Sequence, residues 1–225
     1  MVRKSNETVA LSQTLDRGLA CLEFVAASDR AVSVDETAGA LALHRSIVYR
    51  LMRTLEMRRL VERDADGDFL PGPYLAVLSR SVRRTLRAAA APVVANLAED
   101  LQMTAFLVVA DGDEAVTIDS VEPRSLNAHV AYRPGTRHPI DRGAPGLALL
   151  AARPAQIGER PEVSLARGRN WAHSEAEVIA GMASVAAPIA DQGAVAVLWL
   201  AGAQVSADAV GRQVAAAARR IESRL

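Results

Sequence analysis

The stretch Ser33–Arg63, SVDETAGALALHRSIVYRLMRTLEMRRLVER, constrains the fold more than any other part of the chain. Ser33 and Glu36 have the S-x-x-E spacing of a capping box, in which each side chain satisfies an orphan amide at a helix start. The helix they open runs through Thr37, Ala38 and Leu41. The chain turns at Ala42-Leu43, and a second helix begins near Arg45. At about 100° per residue, Ile47, Val48, Leu51, Met52 and Leu55 of that second helix share one arc. Arg45, Ser46, Tyr49, Arg50, Arg53 and Thr54 share the opposite arc. The apolar arc can pack on preceding helices, and the other presents cationic, hydroxyl and aromatic groups outward. That is the layout of a recognition helix, whose N-terminal residues reach base edges in a major groove.

Between His44 and Arg63 there are six arginines (Arg45, Arg50, Arg53, Arg58, Arg59, Arg63) against two acids, Glu56 and Glu62. Arginine donates bidentate pairs to guanine, and Ser46 or Tyr49 can bond a base or a phosphate. A solvated amphipathic surface helix would carry similar charges, so the next residues matter. Val61-Glu62-Arg63, Asp64-Ala65-Asp66-Gly67 and Asp68-Phe69-Leu70 read as a β-hairpin with a D-G turn. A recognition helix followed at once by a hairpin is a winged helix-turn-helix. Arg63 on the wing is expected to touch a phosphate or the minor groove, while the acids at the tip argue against deep insertion.

These residues carry a family resemblance. LDRGLACLEFVA, the capping box and LHRSIVYRLMRTLEMRRLVERDADGDFLPGPYLAVLS resemble the N-terminal domain of the IclR family of bacterial transcriptional regulators. AEDLQMTAFLVVADGDEAVTIDSVEP, PGTRHPIDRGAPGLALLA and SVAAPIADQGAVAVLWLAGA are similar to that family's effector-binding domain, in the same order. The resemblance covers nearly the whole chain and implies a GAF-like sensor fold for the second part.

The bounds agree. A chain of 225 residues, half of them hydrophobic, can bury two modest cores. No charge-free apolar run reaches the roughly 18 residues of a membrane span. The start, MVRKSNETVALSQ, lacks an apolar signal core, so a cytoplasmic location is expected. Cys21 is the single cysteine, which leaves no disulfide framework and no cysteine metal site. Zero formal net charge argues against indiscriminate nucleic-acid binding and places the affinity in a local patch and a dimer.

The expected organisation is α+β. Residues 1–78 form the winged helix-turn-helix domain, 79–91 a linker helix, and 92–225 the GAF-like effector-binding and oligomerisation domain. A loose tail precedes Thr14, which caps a first helix with a core stripe of Leu15, Leu19, Leu22 and Val25 or Ala26. Pro71-Gly72-Pro73 stops the hairpin, and a helix starts at Tyr74. The arginines of SRSVRRTLRAAAA are exposed on the linker, which is either a lever between the domains or a plain spacer. Pro92 opens a following helix, Val93–Asp100. Thr104–Ala110 and Glu114–Val121 form a hairpin, and Leu126–Tyr132 a third strand. Gly143–Ala152 forms a short helix, and Ser184–Ala190 with Ala194–Ala201 a second hairpin. Ser206 caps a last helix with the stripe Val210, Val214, Ala217 or Ala218, and Ile221.

No catalytic constellation stands out. There is no G-x-S-x-G, H-E-x-x-H, P-loop or G-x-G-x-x-G. His44, His129, His138 and His173 lack metal-ligand spacing, and Asp111, Asp113 and Glu114 read as solvated turn acids. The chain is therefore expected to be no enzyme and to need no metal or cofactor. A binding pocket suits the second domain better. GAPG at Gly143–Gly146 opens a helix whose free amides could receive a carboxylate. The family's pocket, carried over position by position, nominates Val130, His138, Ala144, Pro145, Ser174, Met182, Ser184, Trp199 and Ala201. Each of Val130, Met182 and Trp199 taken alone also reads as plain core. Trp199 and Ala201 stand where related pockets for small acids often carry small hydroxyl residues. The segment ARPAQIGERPEVSLA is shorter than the family usually has, so one or two helices near the pocket are expected to be missing.

The resulting expectation is a sequence-specific DNA-binding regulator, dimeric or tetrameric, with no membrane partner. Its DNA-contacting set is Ser33, His44, Arg45, Ser46, Tyr49, Arg50, Arg53 and Arg63. Its effector is a carboxylate larger or more apolar than a short organic acid, unless the pocket is collapsed and holds no ligand. The competing expectation is a small-molecule-binding or enzymatic protein whose head serves only for assembly. The turn residue Ala42, where the family usually has glycine, is expected to carry strain if its φ is positive.

Overall fold

The computed structural model describes residues 12–124 and 132–225. They fall into two compact units that part between Val82 and Arg83. The first unit comprises α1 (Gln13–Ala27), α2 (Val34–Ala40), α3 (Arg45–Met57), β1 (Val61–Arg63), β2 (Phe69–Pro71) and α4 (Tyr74–Ser79). Its core is Cys21, Val25, Val32, Ala38, Val48, Met52, Leu55, Val61 and Phe69. The capping box forms as expected. The Glu36 amide donates to Ser33 Oγ at 3.1 Å, and the Ser33 amide to Glu36 Oε2 at 2.8 Å. The β1–β2 ladder pairs Val61 with Pro71 and Arg63 with Phe69, and Gly67 takes φ 87° at the turn. Val32 and Phe69 exchange backbone hydrogen bonds, tying the start of α2 to the hairpin.

The second unit is a six-stranded antiparallel sheet, ordered β5-β4-β3-β8-β7-β6. Its strands are β3 (Thr104–Asp111), β4 (Glu114–Val121), β5 (Arg137–Pro139), β6 (Ala172–Glu175), β7 (Met182–Ile189) and β8 (Gly193–Leu200). The period of two divides their side chains between two cores. Ala105, Leu107, Val109, Val195, Val197 and Trp199 pack with α5 (Arg84–Leu101) and α8 (Ala207–Glu222). Phe106, Val108, Ala194, Ala196 and Leu198 pack with α6 (Gly143–Ala151) and α7 (Pro161–Arg169). The α+β class is the one expected, and Ser206 caps α8 through the Ala209 amide.

Several local expectations are corrected. The first helix begins at Gln13 with Ser12 at the N-cap, not at Thr14. Its buried stripe is Gly18, Cys21 and Val25, whereas Leu15 and Leu19 are exposed. Gly18 lies under Leu51 Cδ2, at 3.7 Å from where a β-carbon would stand, so a small residue lets α1 approach α3. No helix break occurs at Pro92, which lies inside α5. Proline leaves the carbonyl four residues back without its donor. Here that residue, Ala88, is exposed and so is Pro92, so water can serve the carbonyl. Leu86, Ala89, Ala90, Val93, Val94, Leu97 and Ala98 carry one buried stripe through both halves. The sequence pattern also missed the short strands β5 and β6, and α7. The expected tail (its first eleven residues) and most of the expected strand Leu126–Tyr132 lie outside the described residues. Among the described residues no helix is long and apolar enough to cross a membrane.

Candidate nucleic-acid interface and ligand cavity

In α3, Val48, Met52 and Leu55 are buried, and Ile47 and Leu51 half-buried. Arg45, Ser46, Tyr49, Arg50, Arg53 and Thr54 are exposed, so the two arcs separate as the period requires. His44 is the N-cap, and its Nδ1 accepts from the Ser46 amide at 3.3 Å. That bond places the neutral ring's proton on Nε2, which becomes the free donor of the pair. Arg45 pairs with Asp35 at 3.1 Å, both well exposed. Among the described residues Arg50 has no ion-pair partner, and Arg53 pairs with Glu56 at 3.0 Å.

Two expected DNA contacts are already engaged elsewhere. Arg63 donates to Glu56 Oε1 at 3.1 Å and to the Gly67 carbonyl at 2.8 Å. Its guanidinium also lies 4.3 Å from the Phe69 ring centroid. These bonds brace the hairpin against α3, and a phosphate would have to compete with them. Ser33 spends its hydroxyl in the capping box, beside the Glu36 carboxylate that Arg30 also holds. Arg30 first, then the Ser33 amide and hydroxyl, lower the Glu36 carboxyl to about 2. A phosphate at the start of α2 would meet that anion, so Ser33 is a structural residue.

In the second unit a small cavity of about 30 Å³ opens beside the start of α6. Phe106, Met182 and Leu198 supply apolar walls from the sheet, and Tyr132 packs tilted against Phe106 with ring centroids 4.5 Å apart. Burial raises the Tyr132 phenol, partly offset by a hydrogen bond with Thr117. Val178 and Ile179, from the segment between β6 and β7, close the rim. That segment meets α6 at Gly143, where a β-carbon would lie 2.6 Å from Val178 Cγ2 and φ is +71°. Glycine is needed there on both counts.

The first amides of α6 are not free. Gly143 N–H donates to Glu177 Oε2 at 2.8 Å, and Ala144 N–H to Ser174 Oγ at 2.7 Å. Arg160, which precedes α7, grips the same carboxylate, with bonds of 2.8 Å to Oε1 and 3.1 Å to Oε2. It also donates to the Asp141 carbonyl and to Glu162. Arg160 and then the Gly143 amide hold the Glu177 carboxyl below the ordinary carboxylate range, against burial. His138 Nδ1 is 3.0 Å from the Pro139 carbonyl. A carbonyl only accepts, so Nδ1 carries a hydrogen and donates it there. Among the described residues the buried Ser184 Oγ has no hydrogen-bond partner.

Of the residues nominated for the pocket, His138, Pro145, Ser174, Met182 and Ser184 line this cavity. Ala144 is fully buried beside it and contributes its amide. Val130 lies outside the described residues. Trp199 and Ala201 are misplaced in the expectation, because both pack into the α5–α8 core. Strand alternation sends Trp199 to the opposite face and gives its place to Leu198. The sequence reading missed Phe106, Tyr132, Glu177, Val178, Ile179 and Leu198. The period of two on β3 and β8 would have found Phe106 and Leu198; no local signal marks Glu177.

Comparison with known proteins places these features in a family. Residues 14–65 match the IclR helix-turn-helix domain, and residues 79–161 match the C-terminal domain of bacterial IclR transcriptional regulators. An HTH-type transcriptional regulator of Mycobacterium tuberculosis is 32% identical over 146 residues, covering 64% of this chain and 56% of that protein. The glycerol operon regulatory protein of Streptomyces griseus is 26% identical over 208 residues, 82% of each chain. This chain thus spans little more than half of the first relative's length and most of the second's. The fold matches the crystal structure of an IclR homologue from Microbacterium hydrocarbonoxydans complexed with 4-hydroxybenzoate. That match has a TM-score of 0.79 at 20% identity, over 94% of this chain and 98% of the other. With both family domains present in order, the chain belongs to the IclR family of bacterial transcriptional regulators.

Proposed function

We propose that this protein is a homo-oligomeric, sequence-specific DNA-binding regulator whose second unit senses a small molecule. The observation that carries the DNA part is α3. Arg45, Tyr49, Arg50 and Arg53 stand exposed on a helix anchored by Val48, Met52 and Leu55, beside a braced hairpin. Two copies would place two recognition helices in successive major grooves of a pseudo-palindromic site. Arg45, Ser46 and Tyr49 would read bases, while Arg50, Arg53 and the His44 Nε2–H would address phosphates. A DNA target makes the cytoplasm the place of action.

The effector reading rests on the cavity. Its aromatic and aliphatic walls support a ligand with an apolar body. The carboxylate head expected from the sequence finds support in the Microbacterium homologue, which binds 4-hydroxybenzoate. Against an acid seated on the α6 amides stand Glu177 and Ser174, which hold them. Effector binding would act by shifting the population of arrangements available to the oligomer.

Selection of duplexes from a random library tests the DNA reading: enriched half-sites at a fixed spacing are expected. Affinity should fall steeply with salt as phosphate counterions are released. Absence of duplex binding at low salt would instead favour a head that serves only for assembly.

A further inference from the structure

Glu56 breaks a local rule. It stands in the last turn of α3, where the negative end of the helix dipole disfavours an anion and no basic residue shares the turn. It is also one of two acids set among six arginines between His44 and Arg63. A residue that opposes its own helix is expected to serve something beyond that helix. Both of its carboxylate oxygens are taken. Arg53 Nη1 donates to Oε2 at 3.0 Å, and Arg63 Nε donates to Oε1 at 3.1 Å. One carboxylate thus ties the recognition helix to the hairpin beside it.

The two arginines are held differently. The Arg53 side chain is 53% exposed and meets Glu56 through Nη1. Its Nε and Nη2 have no partner among the described residues, so half of its donor fork stays available to a phosphate. The Arg63 side chain is 31% exposed and is held on three sides. Besides Glu56 it bonds the Gly67 carbonyl through Nη1 and covers the Phe69 ring. Of these three partners only Glu56 carries a charge, and a charge-assisted bond is about twice as strong as a neutral one. A phosphate reaching for Arg63 must therefore displace an anion first. With a neutral amide in place of the carboxylate, it would displace neutral groups alone.

We propose that Glu56 is a positioning residue of the DNA interface: it withholds the Arg63 guanidinium from the phosphate backbone while it orients Arg53, and so keeps sequence-independent affinity low. Base reading is left to the start of α3, far along the helix from this carboxylate. The inference rests on the DNA reading and deepens it by dividing the arginines into those offered to a duplex and one kept back.

The test is the salt dependence of binding to a duplex of scrambled sequence, followed by fluorescence anisotropy on the full chain between roughly 50 and 200 mM salt. Glu56→Gln, checked for folding by circular dichroism, should bind severalfold tighter, and its slope of log affinity against log salt should steepen by about 0.9 per head as Arg63 gains a phosphate. Arg63→Gln in the natural background should leave the slope unchanged, and adding it to Glu56→Gln should cancel the steepening. Glu62→Gln is the control. It removes the same charge from the exposed residue next to Arg63, which has no ion-pair partner among the described residues, and should steepen the slope less than half as much. An unchanged or shallower slope in folded Glu56→Gln overturns the proposal. So does an equal steepening in Glu62→Gln, which would mark a diffuse charge effect, or a slope about 0.9 per head shallower in Arg63→Gln. If Glu56→Gln does not fold, the Arg63→Gln slope decides alone. Absence of any duplex binding by the natural protein would overturn the DNA reading itself, and this inference with it.

Discussion

Replacing Ala42 with glycine should stabilise the helix-turn-helix, and the structure sets the size of the effect. Ala42 has φ 52°, in the left-handed region. It follows the C-cap Leu41 of α2, the Leu43 amide donates to the Ala38 carbonyl at 3.0 Å, and the Ala42 amide to Gly39 at 3.4 Å. This is a Schellman motif, which usually ends in glycine. An L-residue held left-handed costs roughly 1–2 kcal/mol. Glycine's greater freedom in the unfolded chain returns about 0.4–1 kcal/mol of that. The net gain for Ala42→Gly is then about 0.5–1 kcal/mol, a factor of about 2–5 in the opening equilibrium. Ala42 is exposed, so no packing term complicates the sum. Hydrogen exchange of the Leu43 and Val48 amides, measured by mass spectrometry on the whole protein, reads the change where it occurs. Protection should rise by that factor with duplex affinity unchanged. Unchanged or lower protection would refute the claim that backbone strain at this residue weakens the turn.

Arg45→Ala removes an exposed pair with Asp35, so stability should shift by under about 0.5 kcal/mol. Specific duplex binding should weaken by about 1–3 kcal/mol with relaxed preference at one base pair; an unchanged gel-shift titration would take Arg45 off the reading surface. Glu36→Gln should show a pH-dependent loss. The folded carboxyl is lowered to about 2 from 4.5, so its contribution is complete above 4.5 and fades as pH falls toward 2. Urea midpoints of the two proteins should converge over that window, and a constant gap would contradict the assignment. Gly211→Ala would place a β-carbon 2.3 Å from the Trp171 ring, which Arg169 covers at 3.5 Å. Overpacking there should cost about 1–3 kcal/mol, read as a lowered melting temperature.

The residue order alone determined the first unit well. Capping box, interhelical turn, amphipathic α3 and D-G hairpin are local signals, each read from residues near one another in the chain. The opposed arcs of α3 followed from a period that no tertiary contact has to supply. The second unit was legible as alternating strands and a final capped helix, but not as a site. Which face of β8 lines the cavity depends on register against β3 and β7, and a one-residue error sent Trp199 in for Leu198. Arg63 looked like a DNA-contacting cation on the wing until folding brought Glu56 and Phe69 against it. Glu177 lies 34 residues from the Gly143 amide it accepts from and 17 from Arg160. Charges and amides so far apart in the chain become partners only through the sheet that joins them. Local pattern reports which face a residue belongs to, and chain closure alone decides whose charge is already spent.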